Sequence, residues 1–161
     1  MLTYLDALPV AYFYSAHPPV YTCEEADRFR PKLDGASLKN LFLQDEKKNY
    51  YLVVTECNRA VDLKELGRLM GAPKLHFASA PVLQSVLGVQ PGAVTLLALV
   101  NDAAHCVRLV VDADIWMEAR FLCHPLVNTA TLVIERAELL RFLEAVKSEP
   151  LVLALPLRSK A

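Results

Sequence analysis

The sequence predicts a mixed α/β fold in a single domain, because strand-like and helix-like segments alternate along it. Short apolar runs rich in β-forming residues occur at residues 10–14, 37–43 and 50–55. Between and after these runs, apolar residues recur at helical spacing and are bounded by capping residues. A chain of 161 residues buries about 70% of the surface that its unfolded form exposes, so one domain over residues 1–161 accounts for its length.

The N-terminal part contains two predicted helices on either side of the first strand. Leucines at helical spacing predict a helix over residues 1–8. Thr22 and Glu25 have the spacing of a capping box, which predicts that a second helix begins there and ends before Pro31. The residues of this helix expected to turn inward are Ala26 and Phe29.

The strand at residues 37–43 is predicted to lie inside the sheet, since it carries large apolar residues on both faces. These are Leu41 and Leu43 on one face and Phe42 on the other. Polar residues 44–49 predict a hairpin turn, and residues 50–55 predict the antiparallel return strand.

Two further helices have start and stop signals. Asp62, with Glu65 three residues on, predicts the start of one helix, and Gly71 lies just past its end. Ser79 is the predicted cap of the next helix, which has a proline in its first turn and ends at Gly88. The leucines of the first helix expected to face inward are Leu63, Leu66 and Leu69.

The C-terminal half is predicted to begin with an antiparallel meander. Residues 88–92 have the proline and glycine of a type II turn, residues 93–100 predict a buried strand, and residues 106–111 predict a strand that pairs back with it. The other predicted elements are a short strand at 74–77, a helical turn at 112–118, a helix at 137–147 and a last strand at 151–155.

Composition excludes several classes of function. The formal net charge is −1, whereas a protein that binds DNA through bulk electrostatics needs a basic face. The longest apolar runs are far shorter than the ~20 residues that span a bilayer, and the N-terminus lacks the features of a secretory signal. We therefore expect a soluble cytoplasmic protein that binds neither membranes nor DNA.

The cysteines and histidines are scattered and predict neither a metal site nor a cofactor. The four cysteines form no CxxC pair and are expected to be reduced, buried thiols. They are Cys23, Cys57, Cys106 and Cys123. The four histidines are equally dispersed, and Cys123 and His124 point to opposite faces of an extended segment, which argues against a thiol–imidazole pair.

Polar residues within apolar surroundings mark the candidate site, and the residues alone leave two interpretations open. Lys39 either extends its ammonium group to solvent or faces an anionic group at the end of the sheet. Arg28, Arg30 and Lys32 form either a solvated face or a phosphate contact. His124 is held extended by the following proline and is either structural or catalytic.

Five ordered motifs resemble a known family. They read PPVYTCEEA at residues 18–26, KNLFL at 39–43, SA at 79–80, GVQPGAVT at 88–95 and HPLVNTAT at 124–131. In this order they resemble the YbaK-like aminoacyl-tRNA deacylases, in particular the free-standing prolyl-tRNA editing proteins that hydrolyse alanyl-tRNA(Pro). The resemblance covers nearly the whole chain and implies a mixed, largely antiparallel, barrel-like sheet surrounded by helices.

The resemblance also implies roles for individual residues. Lys39 matches the family's essential lysine, and Asn40 matches the asparagine after it. Gly92 and Ala93 fall in the loop whose backbone faces the aminoacyl ester, where its amides could stabilise an oxyanion. The other residues expected to bind substrate or form the pocket walls are Leu41, Phe42, Ser79, Ala80, His124, Asn128 and Thr129.

The implied function is trans-editing of mischarged tRNA without a cofactor. A synthetase pocket that accepts proline rejects alanine weakly, because lost apolar contacts are worth only about 1 to 3 kcal/mol, so a second, smaller sieve is needed. With no general base evident, we expect a ribose hydroxyl of the substrate to help activate water. The implied partners are the acceptor end of mischarged tRNA and prolyl-tRNA synthetase. The alternatives are a deacylase for Cys-, Ser- or Thr-charged tRNA and a non-catalytic module that binds tRNA or a synthetase.

Overall fold

An eight-stranded mixed sheet forms the framework of the protein. The structure is a computed structural model that describes residues 1–29 and 34–159. The strands are β1 (Phe13–Ala16), β2 (Ala36–Gln44), β3 (Tyr50–Glu56), β4 (His76–Phe77), β5 (Val107–Asp112), β6 (Arg120–Cys123), β7 (Ala130–Glu135) and β8 (Leu151–Leu153). Their order is β1-β7-β6-β2-β3-β5-β8, with β4 paired to β2. Within the part described, the edge strands β1 and β8 do not pair, so this barrel-like sheet is open.

Six α-helices pack around this sheet in the described ranges. They are α1 (Leu2–Ala7), α2 (Cys23–Phe29), α3 (Leu63–Met70), α4 (Ala80–Leu87), α5 (Ala113–Trp116) and α6 (Arg136–Ala145). The predicted caps of α3 and α4 are confirmed, because Asp62 accepts a hydrogen bond from the Glu65 amide at 3.1 Å and Ser79 accepts one from the Val82 amide at 3.4 Å. Gly71 and Gly88 end these helices with φ of 66°, a left-handed conformation that favours glycine.

The predicted antiparallel meander is wrong. Residues 93–100 form no strand; they contain the end of a 3₁₀ turn, Pro91–Ala93, and most of a 3₁₀ helix, Leu96–Asn101. A short run that is apolar on every side cannot distinguish a buried strand from a buried helix by its periodicity. Here Thr95 favours the helix, because its hydroxyl accepts a hydrogen bond from the Leu97 amide at 3.3 Å and caps the first turn.

Strand β5 therefore pairs with β3, and the two are parallel, with Val53 opposite Val110. Parallel neighbours need a long crossover, which the chain supplies between residues 57 and 106 through α3, β4, α4 and the 3₁₀ helix. Strand β8 in turn adds parallel to β5. The predicted hairpin of β2 and β3 is confirmed as an antiparallel pair from Leu38–Glu56 to Gln44–Tyr50.

Two hydrophobic clusters cover the two faces of β2, as its sequence predicted. Phe42 is 4% exposed and belongs to the larger cluster, whereas Leu43 is fully buried in the smaller one. Because the larger cluster and the hairpin hold β2 firmly, the polar N-terminal half of this strand has a fixed position.

Two predicted inward residues are exposed. Leu69 lies off the buried stripe of α3, which runs through Leu63, Leu66, Gly67 and Met70 at the spacing of a helix face. Phe29 at the end of α2 is 41% exposed and stacks on His17 instead of entering the core. The predicted helix end before Pro31 and the basic residues Arg30 and Lys32 lie outside the described residues.

The N-terminal segment also differs slightly from its prediction. Strand β1 begins at Phe13 and not at Val10, whose side chain is buried in the larger cluster after α1. Across the described ranges, no helix is both long and apolar enough to cross a membrane.

Candidate active site

A cavity of about 160 Å³ lies between the N-terminal half of β2, helix α2 and the loop after β6. Apolar side chains form part of its wall, including Val20, Leu38, Val94 and Leu122. Polar groups converge on it from separate segments: His17, Thr22, Lys39, Asn40, His124 and Thr131. A concave site with apolar walls and a few converging polar groups is typical of a ligand site.

Lys39 lines this cavity and carries a positive charge. Its side chain is half-buried, and its ammonium group donates a hydrogen bond to the carbonyl oxygen of Arg59. This carbonyl is a neutral acceptor, so the contact orients the ammonium group without cancelling its charge. Burial, and secondarily the nearby Arg158, lowers the pKa of Lys39 below its ordinary value.

The side chain of Arg59, the residue whose carbonyl holds Lys39, is anchored by ion pairs. The Arg59 guanidinium lies 2.5 Å from a carboxylate oxygen of Asp114 and 3.4 Å from one of Asp112, and Glu56 lies 3.6 Å away. Asp112 is buried and also accepts a hydrogen bond from the Thr55 hydroxyl at 2.7 Å. The Lys39 ammonium group is therefore positioned by a second layer of charged residues that do not line the cavity.

Asn40 contributes a polar atom that has no partner. Its Oδ1 is buried and makes no hydrogen bond to any residue in the part of the chain that the structure describes. A buried acceptor that is left unpaired costs about 1 to 3 kcal/mol, and a ligand that donates to it recovers this energy. The partnerless oxygen next to Lys39 marks this end of β2 as a place for a donor group from a ligand.

The 3₁₀ turn at Pro91–Ala93 closes one side of the cavity, but only part of it lines the wall. Pro91 and Gly92 line the cavity, whereas Ala93 is 7% exposed and packs in the core. The Ala93 amide already donates to the Gln90 carbonyl at 2.9 Å, and Pro91 has no N–H group. Of this turn, Gly92 is therefore the residue whose amide could face a ligand, and the assignment of Ala93 is not supported by its position.

Two histidines with fixed ring orientations also line the cavity. His124 Nδ1 lies 3.0 Å from the Ala130 carbonyl, and His17 Nδ1 lies 2.8 Å from the Pro18 carbonyl, so both Nδ1 atoms carry the hydrogen. Nε2 of His17 then pairs with the Thr131 hydroxyl at 2.8 Å. The two rings are 6.3 Å apart.

The His124 ring is neutral at ordinary pH. Burial, with a smaller contribution from His17, lowers its pKa below the usual value, and the Ala130 carbonyl opposes this shift only in part. In the neutral ring Nδ1 is the donor, so Nε2 keeps a lone pair and acts as an acceptor. The candidate site is thus lined by a lysine, by the neutral imidazole of His124 and by His17.

A disulfide joins Cys23 and Cys57 at the edge of the cavity, which contradicts the prediction of four reduced thiols. Their Cα atoms are 5.8 Å apart although the residues are 34 positions apart in sequence. The first residue of α2 packs against the turn after β3, a long-range contact that cysteine spacing does not reveal. Cys106 and Cys123 are free, and burial raises the pKa of the Cys123 thiol to about 12.

Four other predicted site residues lie away from the cavity. Phe42 stacks on Tyr50 in the core, and Leu41 contacts the smaller cluster on the opposite face of β2. Ser79 caps α4 and Ala80 begins it, beside the C-terminal half of β2. Leu41 and Phe42 are therefore not walls of this cavity, whose lining on β2 ends at Asn40.

Asn128 and Thr129 support the wall and do not line it. The Asn128 side-chain amide donates to the Val20 carbonyl at 2.9 Å, and the Thr129 carbonyl accepts from the His17 amide at 2.9 Å. These bonds connect the loop after β6 to the segment before α2, so the two sides of the cavity hold one another.

Sequence reasoning missed several residues that line the cavity. Among them are His17, Tyr21, Cys23, Phe29 and Cys57. His17 directly precedes the first motif and Tyr21 lies inside it, so the motif was the available signal. Within the described ranges, no three His, Cys, Asp or Glu side chains are grouped in a way that could bind a metal ion.

Comparison with known proteins gives consistent matches. The family model of the aminoacyl-tRNA editing domain matches residues 17–142. Over 140 residues the chain is 40% identical to prolyl-tRNA synthetase associated domain-containing protein 1 of Danio rerio, covering 86% of this chain and 76% of that protein. It is 36% identical over 142 residues to the prolyl-tRNA editing protein ProX of Acetoanaerobium sticklandii, covering 88% and 87% of the two chains.

Solved structures share the fold at lower identity. The crystal structure of hypothetical protein APE2540 superposes with a TM-score of 0.75 at 20% identity, covering 96% of this chain and 97% of that one. A structure described as a candidate trans-editing enzyme for prolyl-tRNA synthetase has a TM-score of 0.72 at 21% identity, covering 94% and 91%. The mixed sheet with surrounding helices is therefore a shared architecture.

Proposed function

Because this chain belongs to the aminoacyl-tRNA editing domain family, we propose that it is a trans-editing deacylase that hydrolyses the ester of mischarged tRNA(Pro), with alanyl-tRNA(Pro) as its substrate. The names of relatives support the link to prolyl-tRNA. One structural observation carries the proposal for the site: Lys39, Gly92 and His124, from three separate segments, line the same small cavity.

In the proposed reaction, water attacks the ester carbonyl and negative charge develops on the carbonyl oxygen. Lys39 supplies a half-buried positive charge, which stabilises an oxyanion more strongly than a solvated charge does. The Gly92 amide is the second proposed donor, on the opposite side of the cavity. A ribose hydroxyl of the substrate helps to take the proton from the attacking water. The tetrahedral intermediate then collapses, the bond between the acyl carbon and the esterified ribose oxygen breaks, and that oxygen leaves with the proton as a hydroxyl group. The products are the free amino acid and uncharged tRNA.

We propose that the α-ammonium group of the aminoacyl ester donates hydrogen bonds to acceptor atoms of the cavity wall. Asn40 Oδ1 is unpaired and accepts a hydrogen bond from this ammonium group or from the ribose. The neutral His124 ring lines the same cavity and does not repel this ammonium group. We also propose that the ring limits the size of the amino acid that can enter.

Selection by size follows from the rest of the wall. Val20 and Leu122 are nearly fully buried, and both are held by the sheet or by hydrogen bonds to the loop after β6. Close-packed walls of this kind do not widen readily, so we propose that alanine enters and the larger ring of proline does not.

We further propose that the protein acts in the cytoplasm on the acceptor end of tRNA and associates with prolyl-tRNA synthetase. The name of the Danio rerio relative, prolyl-tRNA synthetase associated domain-containing protein 1, supports this proposal. Co-purification of the tagged chain with prolyl-tRNA synthetase tests the association separately from catalysis.

The decisive experiment measures deacylation of alanyl-tRNA(Pro) by the wild type and by Lys39→Met, which keeps the length of the side chain and removes its charge. We expect the variant to lose at least about a hundredfold in kcat/KM, as for removal of an oxyanion donor. Lys64→Met, an exposed residue on α3 that does not line the cavity, is the matched control and should retain full activity.

Other outcomes identify the alternatives. If wild-type protein leaves alanyl-tRNA(Pro) intact but hydrolyses Cys-, Ser- or Thr-charged tRNA, the substrate assignment is wrong and the reaction class is right. Binding of tRNA without hydrolysis of any aminoacyl ester in such a panel contradicts the assignment as an enzyme.

A further inference from the structure

Tyr21 is an exposed aromatic residue at the mouth of the cavity. It is 72% exposed, although it lines the same cavity as Lys39 and His124. Single exposed aromatic rings are common on protein surfaces, so exposure alone says little about function, and the location of this ring beside the cavity is what matters. The position next to the candidate site therefore calls for an explanation.

Contacts with neighbouring residues restrict the position of the Tyr21 ring. Its Cδ1 lies so close to Gly92 that a Cβ added there would be 3.0 Å away, with Cε1 at 3.4 Å. The Tyr21 amide donates to Glu25 Oε2 at 2.7 Å, within the capping box that begins α2. One edge of the ring thus touches Gly92, and an exposure of 72% requires that at least one ring face is open to solvent.

Phe29 also lines the cavity, but one face of its ring is already covered. Phe29 stacks on the His17 ring with centroids 5.7 Å apart and planes 10° from parallel. Tyr21 is instead free on an open face, at the end of the cavity formed by the 3₁₀ turn.

We propose that Tyr21 is a stacking platform for the adenine base at the 3′ end of the acceptor strand. This inference rests on the proposed function. When the ester carbonyl lies between Lys39 and Gly92, the terminal base is one ribose away from it and so reaches the mouth of the cavity. Stacking on an aromatic ring is how single-stranded ends are commonly bound, because every base offers a π-face.

Stacking would also explain why the Tyr21 ring lies so close to Gly92. The absence of a side chain there lets the Tyr21 ring lie directly against the turn whose amide is proposed to face the ester. Base and ester would then be positioned by adjoining surfaces, which fixes the orientation of the sugar that joins them.

The test is a cycle of two protein variants and two substrates. Alanyl-tRNA(Pro) is prepared with its normal terminal adenosine and with an abasic terminal ribose, and kcat/KM is measured for wild type, Tyr21→Ala and Tyr21→Phe. With the intact substrate, Tyr21→Ala should lose about tenfold or more in kcat/KM, and Tyr21→Phe should keep most of it. With the abasic substrate, wild type and Tyr21→Ala should be equal.

Phe77→Ala is the matched control, because Phe77 is 58% exposed on β4 and does not line the cavity. Its kcat/KM should equal that of wild type with both substrates. The inference is overturned if Tyr21→Ala stays within twofold of wild type on the intact substrate, or if its loss is the same on the abasic one. Wild-type protein that fails to hydrolyse intact alanyl-tRNA(Pro) contradicts the proposed function instead.

Discussion

Removing the disulfide between Cys23 and Cys57 should lower the stability of the protein by an amount that its loop length determines. The two cysteines are 34 residues apart in sequence. In the chain-entropy model, closing a loop of this size removes enough freedom from the unfolded state to contribute about 3 to 4 kcal/mol to the free energy of unfolding. For a chain of 161 residues, this corresponds to a decrease of roughly 6 to 16 °C in Tm.

The assay is urea unfolding of the oxidised protein, of the protein reduced with a phosphine, and of the double variant Cys23→Ser/Cys57→Ser. We expect the reduced protein and the double variant to share one lower midpoint. Adding the phosphine to the double variant is the control and should change nothing, because the remaining cysteines, Cys106 and Cys123, are free thiols.

Two results would refute this reasoning. One is an intact-mass measurement showing four free thiols in protein purified without reductant. The other is an equal unfolding midpoint for the oxidised and reduced proteins. That result would mean that the disulfide does not reduce the conformational freedom of the unfolded chain.

Three further predictions concern single positions. Gly92→Ala should fold normally, since Gly92 is not among the left-handed residues, yet lose several-fold in kcat/KM on alanyl-tRNA(Pro) because the new Cβ displaces Tyr21. Burial lowers the pKa of Lys39, so kcat/KM, corrected for spontaneous hydrolysis, should fall as pH rises through a value below the ~10.4 of an ordinary lysine, and Lys39→Arg should keep its activity there. Burial raises the pKa of Asp45, but hydrogen bonds from Asn49, Lys47 and Tyr51 outweigh burial and bring it below its ordinary value. The stability that this carboxylate contributes is present above its unfolded pKa and lost as pH falls through the folded one. Asp45→Asn should therefore cost about 2 kcal/mol in urea unfolding at pH 7 and much less near pH 3.

Local signals in the sequence predicted the local structure well. The caps at Asp62 and Ser79 and the glycines that end the two helices depend on residues three or four positions apart. The hairpin of β2 and β3 depends on a short polar turn between two apolar runs. Each of these devices is stabilised by contacts within a few residues, so their prediction needs no knowledge of the rest of the fold.

Long-range contacts decided what the sequence could not predict. The parallel pairing of β3 with β5 and the 3₁₀ helix between them depend on how the crossover packs, because the apolar run around Leu97 fits a buried strand equally well. The disulfide and the hydrogen bond from Thr131 to His17 join residues 34 and 114 positions apart. Lys39, Gly92 and His124 line one cavity, and the family motifs were the only signal in the sequence that placed them together.

The position of Lys39 sharpens the two interpretations that the residues left open. Its ammonium group is half-buried and bound to a neutral carbonyl, so it neither extends fully into water nor forms a close ion pair through that contact. A charge in this state has lost part of its hydration without gaining a full counter-charge. In the proposed reaction, it interacts more strongly with the oxyanion than with the neutral ester, and this difference, not tight binding of the substrate, is what accelerates hydrolysis. The ion pairs of the Arg59 side chain anchor the residue whose carbonyl accepts from the ammonium group, so we expect little reorganisation when charge develops.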